Sequence, residues 1–172
     1  MPVPPFQDLF LPFLLYAADG KIHSSQDVAK YLAEYFHLSE EDLAEMLPSG
    51  RQNRFQNRVA WAKSFLGKAL VIEPTGRNRF CITQRGRDLL STNPSRVDNR
   101  TLSQYAEFQI FRGKQSENGT SPPTELATDP VVLTPEEQLE SAHQSIRDQL
   151  GQSLIAEVMK CPPVFFEKLV ID

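Results

Sequence analysis

The side chains best equipped for chemistry crowd into one stretch, residues 49–70, SGRQNRFQNRVAWAKSFLGKAL. It holds the amides Asn53, Gln56 and Asn57 and the cations Arg51, Arg54, Arg58, Lys63 and Lys68, with no acid from residue 49 to residue 72. The chemistry such a set can do is recognition. An Asn or Gln amide bonds both the N6 donor and the N7 acceptor of adenine, and arginine serves guanine edges and phosphates. Catalysis has no comparable support. No Ser/His/Asp or Cys/His set shows a recognisable spacing, and no glycine-rich phosphate loop is present. Cys81 and Cys161 lie far apart, and His23, His37 and His143 show no ligand spacing to them, so neither a disulfide framework nor a zinc site is expected.

A helix must position these groups. At about 100° per residue, Phe55, Val59, Ala62, Leu66 and Ala69 fall on one side, with Phe65 at its edge. That side predicts burial. Asn53, Gln56, Asn57, Ala60, Lys63 and Ser64 fall on the other, and Arg51, Arg54 and Arg58 flank the apolar stripe with Lys68 further along. A solvated face ordinarily carries Glu and Lys in salt-bridging pairs. By itself the helix supports two readings equally: a face for a DNA major groove, and a polar face that meets only water.

The neighbouring segments tip that balance. Residues 70–72 and 80–82 read as the strands of a hairpin around the turn stretch EPTGRNR, whose tip carries Arg77, Asn78 and Arg79. Upstream, residues 5–18 read as a helix kinked or broken at Pro12 and ended by Asp19-Gly20. Ser24 caps a second helix with Asp27 completing the box, and Ser39 caps a short third one with Leu43, Met46 and Leu47 facing inward. Ser49 is expected to cap the central helix. Thr83 caps a short helix after the hairpin, where Arg85 and Arg87 extend the positive surface, and a further helix over residues 100–111 packs back on the domain. Three helices, a two-stranded β-wing and another helix give the order of a winged helix-turn-helix. Such domains set one helix in the major groove and the wing on the adjacent backbone or minor groove.

The expected fold class is therefore mainly α, a winged helix-turn-helix over residues 1–112, then a linker over 113–133 and a long helix within 134–172. Thr134, Pro135 and the following glutamates open that helix. Leu139, Ala142, Ile146, Leu150, Leu154 and Val158 make its apolar stripe, and Pro162-Pro163 breaks it before a final apolar segment. Charge supports a polyanion partner. The net charge of −4 hides +8 over residues 49–100 and −12 over the remainder. With no run of about 18 apolar residues and no signal peptide, the chain is expected in the cytoplasm, nucleoid-associated when bound to DNA, and not in a membrane.

Four strings carry a family resemblance: VPPFQDLFLPFL, LPSGRQNRFQNRVAWAKSFLGKALV, ITQRGRDLL and EEQLESAHQSIRDQLGQSLIAEVMKCPPVFFEKLV. With them the chain resembles the N-terminal part of Mrr-type restriction endonucleases, the modification-dependent (type IV) class. The spacing of Asn57-Arg58, Trp61-Ala62 and Leu66 is the most specific part of the likeness. The resemblance implies a winged-helix module that recognises methylated DNA, followed by a magnesium-dependent nuclease of the PD-(D/E)xK type. The last string matches the entry to that nuclease, whose metal-binding Asp and (D/E/Q)xK strand have no counterpart here. The chain is thus expected to be truncated at the start of the nuclease, non-catalytic and without a cofactor of its own. Glu167 matches an acidic position that sometimes assists such sites, and is more often a solvated helix residue.

The expected roles follow. Asn53, Gln56, Asn57 and Lys63 are candidates for base edges; Arg51, Arg54, Arg58, Lys68, Arg77 and Arg79, with Asn78 at the wing tip, are candidates for the DNA backbone. Arg58 has a competing structural role, its stem over the core and its head paired with an acid such as Glu34. Trp61 is expected in the core rather than stacked on a base. Methyl reading has two routes, an apolar contact from Ala60 or base flipping. A protein-interaction or dimerisation module, pairing through residues 134–172, and a ligand-sensing transcription regulator are the alternatives.

Overall fold

Capping residues set most of the helix starts where the sequence places them. The computed structural model describes residues 3–117 and 133–160, and the chain divides into two units, Met1–Thr134 and Pro135–Asp172. In the first unit, α1 (Phe10–Tyr16) leads through a 3-10 turn (Ala17–Asp19) to Gly20, whose φ of 73° is left-handed. The predicted start at residue 5 is too early. Residues 6–9 form turns, and Pro12 then lies in the first turn of α1, where its missing N–H has no helical partner, so no kink is needed. After β1 (His23–Ser24), Ser24 caps α2 (Ser25–Tyr35) by accepting from the Asp27 amide. Ser39 and Asp42 form a reciprocal box at the start of α3 (Glu40–Ala44). Hydrogen bonds from Ser39 hold the Asp42 carboxyl below its ordinary range.

The central helix, α4 (Arg54–Lys68), is capped by Asn53, four residues later than the predicted Ser49 cap. Pro48, Ser49 and Gly50 form a turn instead, with Gly50 at φ 67°, and the chain doubles back so that Leu47 N–H donates to Gln52 O and Arg54 N–H to Glu45 O. Met46 bridges Asn53 there and is 45% exposed rather than turned inward. The hairpin follows as β2 (Ile72–Gly76) and β3 (Arg79–Ile82), with an irregular register between Pro74 and Gly76. The expected two-stranded wing is part of a three-stranded antiparallel sheet of order β1-β3-β2, since His23 pairs with Phe80 and Ser24 with Arg79. A two-residue strand has too short an alternation to be read from sequence. Thr83 caps α5 (Gln84–Ser91). Gly86 is required there by close approach: a Cβ on it would lie 2.3 Å from Val71 O and 2.6 Å from an Ile82 side-chain carbon.

The single helix expected over residues 100–111 is two. Asp98 caps α6 (Asn99–Leu102), and α7 (Ala106–Glu117) follows. Leu102 and Phe108 of this segment are buried against the domain as expected, and rings join its elements across the core. Phe65 of α4 meets Phe6 at 5.2 Å and both Phe108 and Phe111 of α7 at 5.7 Å, while Phe13 of α1 meets Phe80 of β3 at 4.9 Å. The arrangement is mainly α, a winged helix in element order and sheet pattern. Helix α7 reaches into the span expected to be linker; residues 118–132 lie outside the described residues.

The second unit contains α8 (Pro135–Val158), with Pro135 at its first position. The expected stripe lies in solvent: Leu139, Ile146, Leu150 and Leu154 are all more than half exposed. The final apolar segment, with Cys161 and Glu167, lies outside the described residues.

Candidate nucleic-acid interface

Helix α4 divides along its length. In its N-terminal half Asn53, Arg54, Asn57 and Arg58 serve the fold, and Gln56 is left exposed. Asn53 is the N-cap: its side-chain oxygen accepts from the Gln56 amide at 3.0 Å, and its Nδ2 donates to Leu43 O. Asn57, expected at a base edge, is 1% exposed. Its Nδ2 donates to Gln52 Oε1 at 3.1 Å, and its Oδ1 accepts from the Thr134 hydroxyl at 2.8 Å. One residue's rotation, about 100°, separates Gln56 in solvent from Asn57 inside. That corrects the assignment of Asn57 to a groove.

Arg58 is corrected as well. It is 4% exposed, and its Nη1 donates to the carbonyls of Val3 at 2.6 Å and Pro4 at 3.0 Å. Glu34, the expected partner, lies exposed. The guanidinium pins the N-terminal segment to α4 and does not reach a phosphate. Arg54 is half-buried and pairs with Glu45 at 2.5 Å. Trp61 packs against the core, edge-on to Phe65. Arg85, expected on the positive surface, is held by Glu107 through two hydrogen bonds, donates to Ala69 O and lies over the Tyr105 ring. The bonds to Arg85 keep the Glu107 carboxyl below its usual range.

The outward face of α4 that remains consists of Gln56, Ala60, Lys63, Ser64, Gly67 and Lys68. Gln56, Ala60 and Lys68 are exposed. Lys63 donates from Nζ to Ser25 Oγ at 2.8 Å and lies 5.7 Å from the Phe80 ring centre; burial lowers its pKa. Ser25 in turn gives its N–H and its hydroxyl to Asn78 O, at 2.9 and 3.1 Å. One polar chain thus ties α4, the start of α2 and the wing tip together. Asn78 holds a φ of 58° there, a conformation asparagine tolerates better than most residues. Arg77 and Arg79 are exposed beside it, and Arg51 is exposed at the turn before α4.

Between α4 and the wing lies an open cleft of about 400 Å³. Ala60, Lys63, Ser64, Gly67 and Lys68 form its helix wall, and Ile72, Pro74 and Phe80 the opposite one. Of these, the sequence marks the two lysines as site residues and Ala60 as a contact for a base methyl. Ser25 sits unmarked in a helix start, Ile72 and Phe80 read only as hairpin strands, and Pro74 as turn. Gly67 was the available signal, a glycine inside a helical pattern. Among the described residues no group of three His, Cys, Asp or Glu side chains is arranged to hold a metal ion. No helix among them is long and apolar enough to cross a membrane.

No solved structure matches the chain. It is 24% identical over its whole length to the type IV methyl-directed restriction enzyme EcoKMrr of Escherichia coli (strain K12), and spans 58% of that relative's length. The family model of the Mrr N-terminal domain matches residues 6–92, from the turns before α1 to the end of α5, so the stretch that builds α4 and the wing lies wholly within it. The chain belongs to the Mrr N-terminal domain family.

Proposed function

We propose that this chain is the DNA-reading part of a methyl-directed restriction enzyme, binding duplex DNA with a preference for methylated sites. The reading rests on one observation: the exposed face of α4 and the cationic wing tip are fixed beside each other through Lys63, Ser25 and Asn78. Gln56 and Ala60 reach base edges from α4, and Arg51, Lys68, Arg77 and Arg79 meet phosphates. The amide and methyl of that pair suit an adenine edge and a base methyl. Cleavage belongs to a magnesium-dependent nuclease part rather than to the residues described. The similarity to EcoKMrr supports both the restriction role and the methyl preference.

The test is titration of matched methylated and plain duplexes at two salt concentrations. The expected result is tighter binding of methylated DNA and a steep loss of affinity with salt, because phosphate contacts release counterions. Salt-independent binding, or equal affinity for both duplexes, would sink the reading in its backbone or its methyl part respectively.

The exposed stripe of α8 favours a second element, self-association of two chains through that helix. Leu150→Lys with Leu154→Lys is expected to convert a dimer into a monomer in sedimentation experiments, and a parent that sediments as a monomer would dismiss it.

A further inference from the structure

We infer that the cleft between α4 and the wing receives a single nucleobase turned out of the duplex, which deepens and rests on the DNA reading above. Its helix wall carries no long side chain at Ala60, Ser64 and Gly67, while the exposed Pro74 faces it from the wing over the buried Ile72 and Phe80. Lys63 and Lys68 border the space, and with Ser64 they supply donors for a base's carbonyl or ring nitrogen.

Gly67 carries the argument furthest. Just past the Ala69 cap of α4, Leu70 holds φ 55°, the left-handed position that favours glycine, yet the glycine stands three residues earlier within the helix. A Cβ on Gly67 would meet nothing within 4 Å, so no protein neighbour requires its absence. The backbone does not need a glycine there; the open cleft does, if a ligand must press close to the helix.

Size and lining select the occupant. A base methyl read in the groove needs space on the order of a water's 30 Å³, against about 400 Å³ here. A phosphate would seek a polar cradle, whereas most of this lining is hydrocarbon. A planar base has apolar faces and a polar edge, which matches apolar walls with a few donors at the border. In a winged-helix docking the strand backbone passes between the reading helix and the wing, so a base rotated off that strand enters here.

The experiment uses the full chain and two duplexes, identical except that one carries a single mispaired base. Unpairing costs less at the mispair, so the parent is expected to bind that duplex about tenfold more tightly. A 2-aminopurine placed beside the mispair should brighten several-fold on binding as its stacking is lost. Gly67→Leu, which fills the cleft, should bring the ratio of affinities to unity and leave the fluorophore dark. Gly67→Ala should give an intermediate ratio, and melting curves of both variants confirm that they fold. Equal binding of the two duplexes by the parent with dark fluorophore overturns the inference while duplex binding stands. A folded Gly67→Leu that keeps the preference overturns it as well. If the parent binds neither duplex, the DNA reading itself has failed and this inference falls with it.

Discussion

The two ends of α4 carry different residues to opposite purposes, amides and arginines at the first and small residues beside a lysine at the second. In the first half, Asn53, Arg54, Asn57 and Arg58 turn inward or sideways, to a cap, a glutamate, a buried amide network and two backbone carbonyls. In the second, Ala60, Ser64, Gly67 and Lys68 face an open cleft beside the wing. Amide and guanidinium groups suit DNA, and they also suit any place where the fold has backbone groups to satisfy. Which use prevails depends on whether other segments arrive to cover them. The N-terminal segment at Val3 and Pro4, the turn at Gln52 and Thr134 cover the first half.

That division is most easily broken at Arg58. Arg58→Ala removes two charge-assisted bonds and leaves the Val3 and Pro4 carbonyls without them, so the first unit should lose about 3 kcal/mol of stability. Chemical denaturation measures this directly. A variant that keeps its midpoint but loses DNA affinity would return Arg58 to the interface. Asn57→Ala should follow with a loss of about 2 kcal/mol, for one buried and one part-buried hydrogen bond. Its methylation preference should stay that of the parent wherever it is folded.

The same contrast explains what could be read in the sequence. Local signals were legible: Ser24, Ser39 and Thr83 cap helices because a short hydroxyl side chain followed by a free amide is a local event. So were the apolar stripe of α4 and the order of helices and wing. What was hidden depends on distant partners. Nothing near Arg58 announces that Val3 and Pro4 come to it, and nothing near Arg85 announces Glu107. The start of α4 was misplaced because Ser49 and Asn53 are both competent caps. The turn at Gly50, closed by Leu47 and Gln52, decides between them.

The wing sharpens the comparison from the other side. Arg77 and Arg79 are exposed and stabilise no core contact, so Arg77→Ala with Arg79→Ala should leave the melting temperature unchanged. Affinity should fall about tenfold for every duplex alike, and the slope of log affinity against log salt should shrink by about two. Titrations across a salt series read both. An unchanged slope would mean that the wing does not touch phosphate. Ser25→Ala is the companion, because it cuts the hydroxyl link between Lys63 and the wing tip while leaving every cation in place. Its affinity loss should be smaller than that of the double variant.

The smallest effect separates the halves most cleanly, because it changes sign between stability and function. Gly67→Ala places a methyl group in open space on a residue of helical backbone. Helix propensity then predicts a gain of about 0.5 kcal/mol, below the full interior value because Gly67 lies in the last turn. At Asn53, Arg54, Asn57 and Arg58, whose side chains serve the fold, substitutions should lower stability and binding together. At Gly67 they should diverge, with a higher melting temperature and weaker binding of DNA. Differential scanning calorimetry and the same duplex titrations measure the pair. A stabilised variant with full affinity would show that the cleft wall has no part in recognition, and a destabilised one would show that Gly67 is held for the fold.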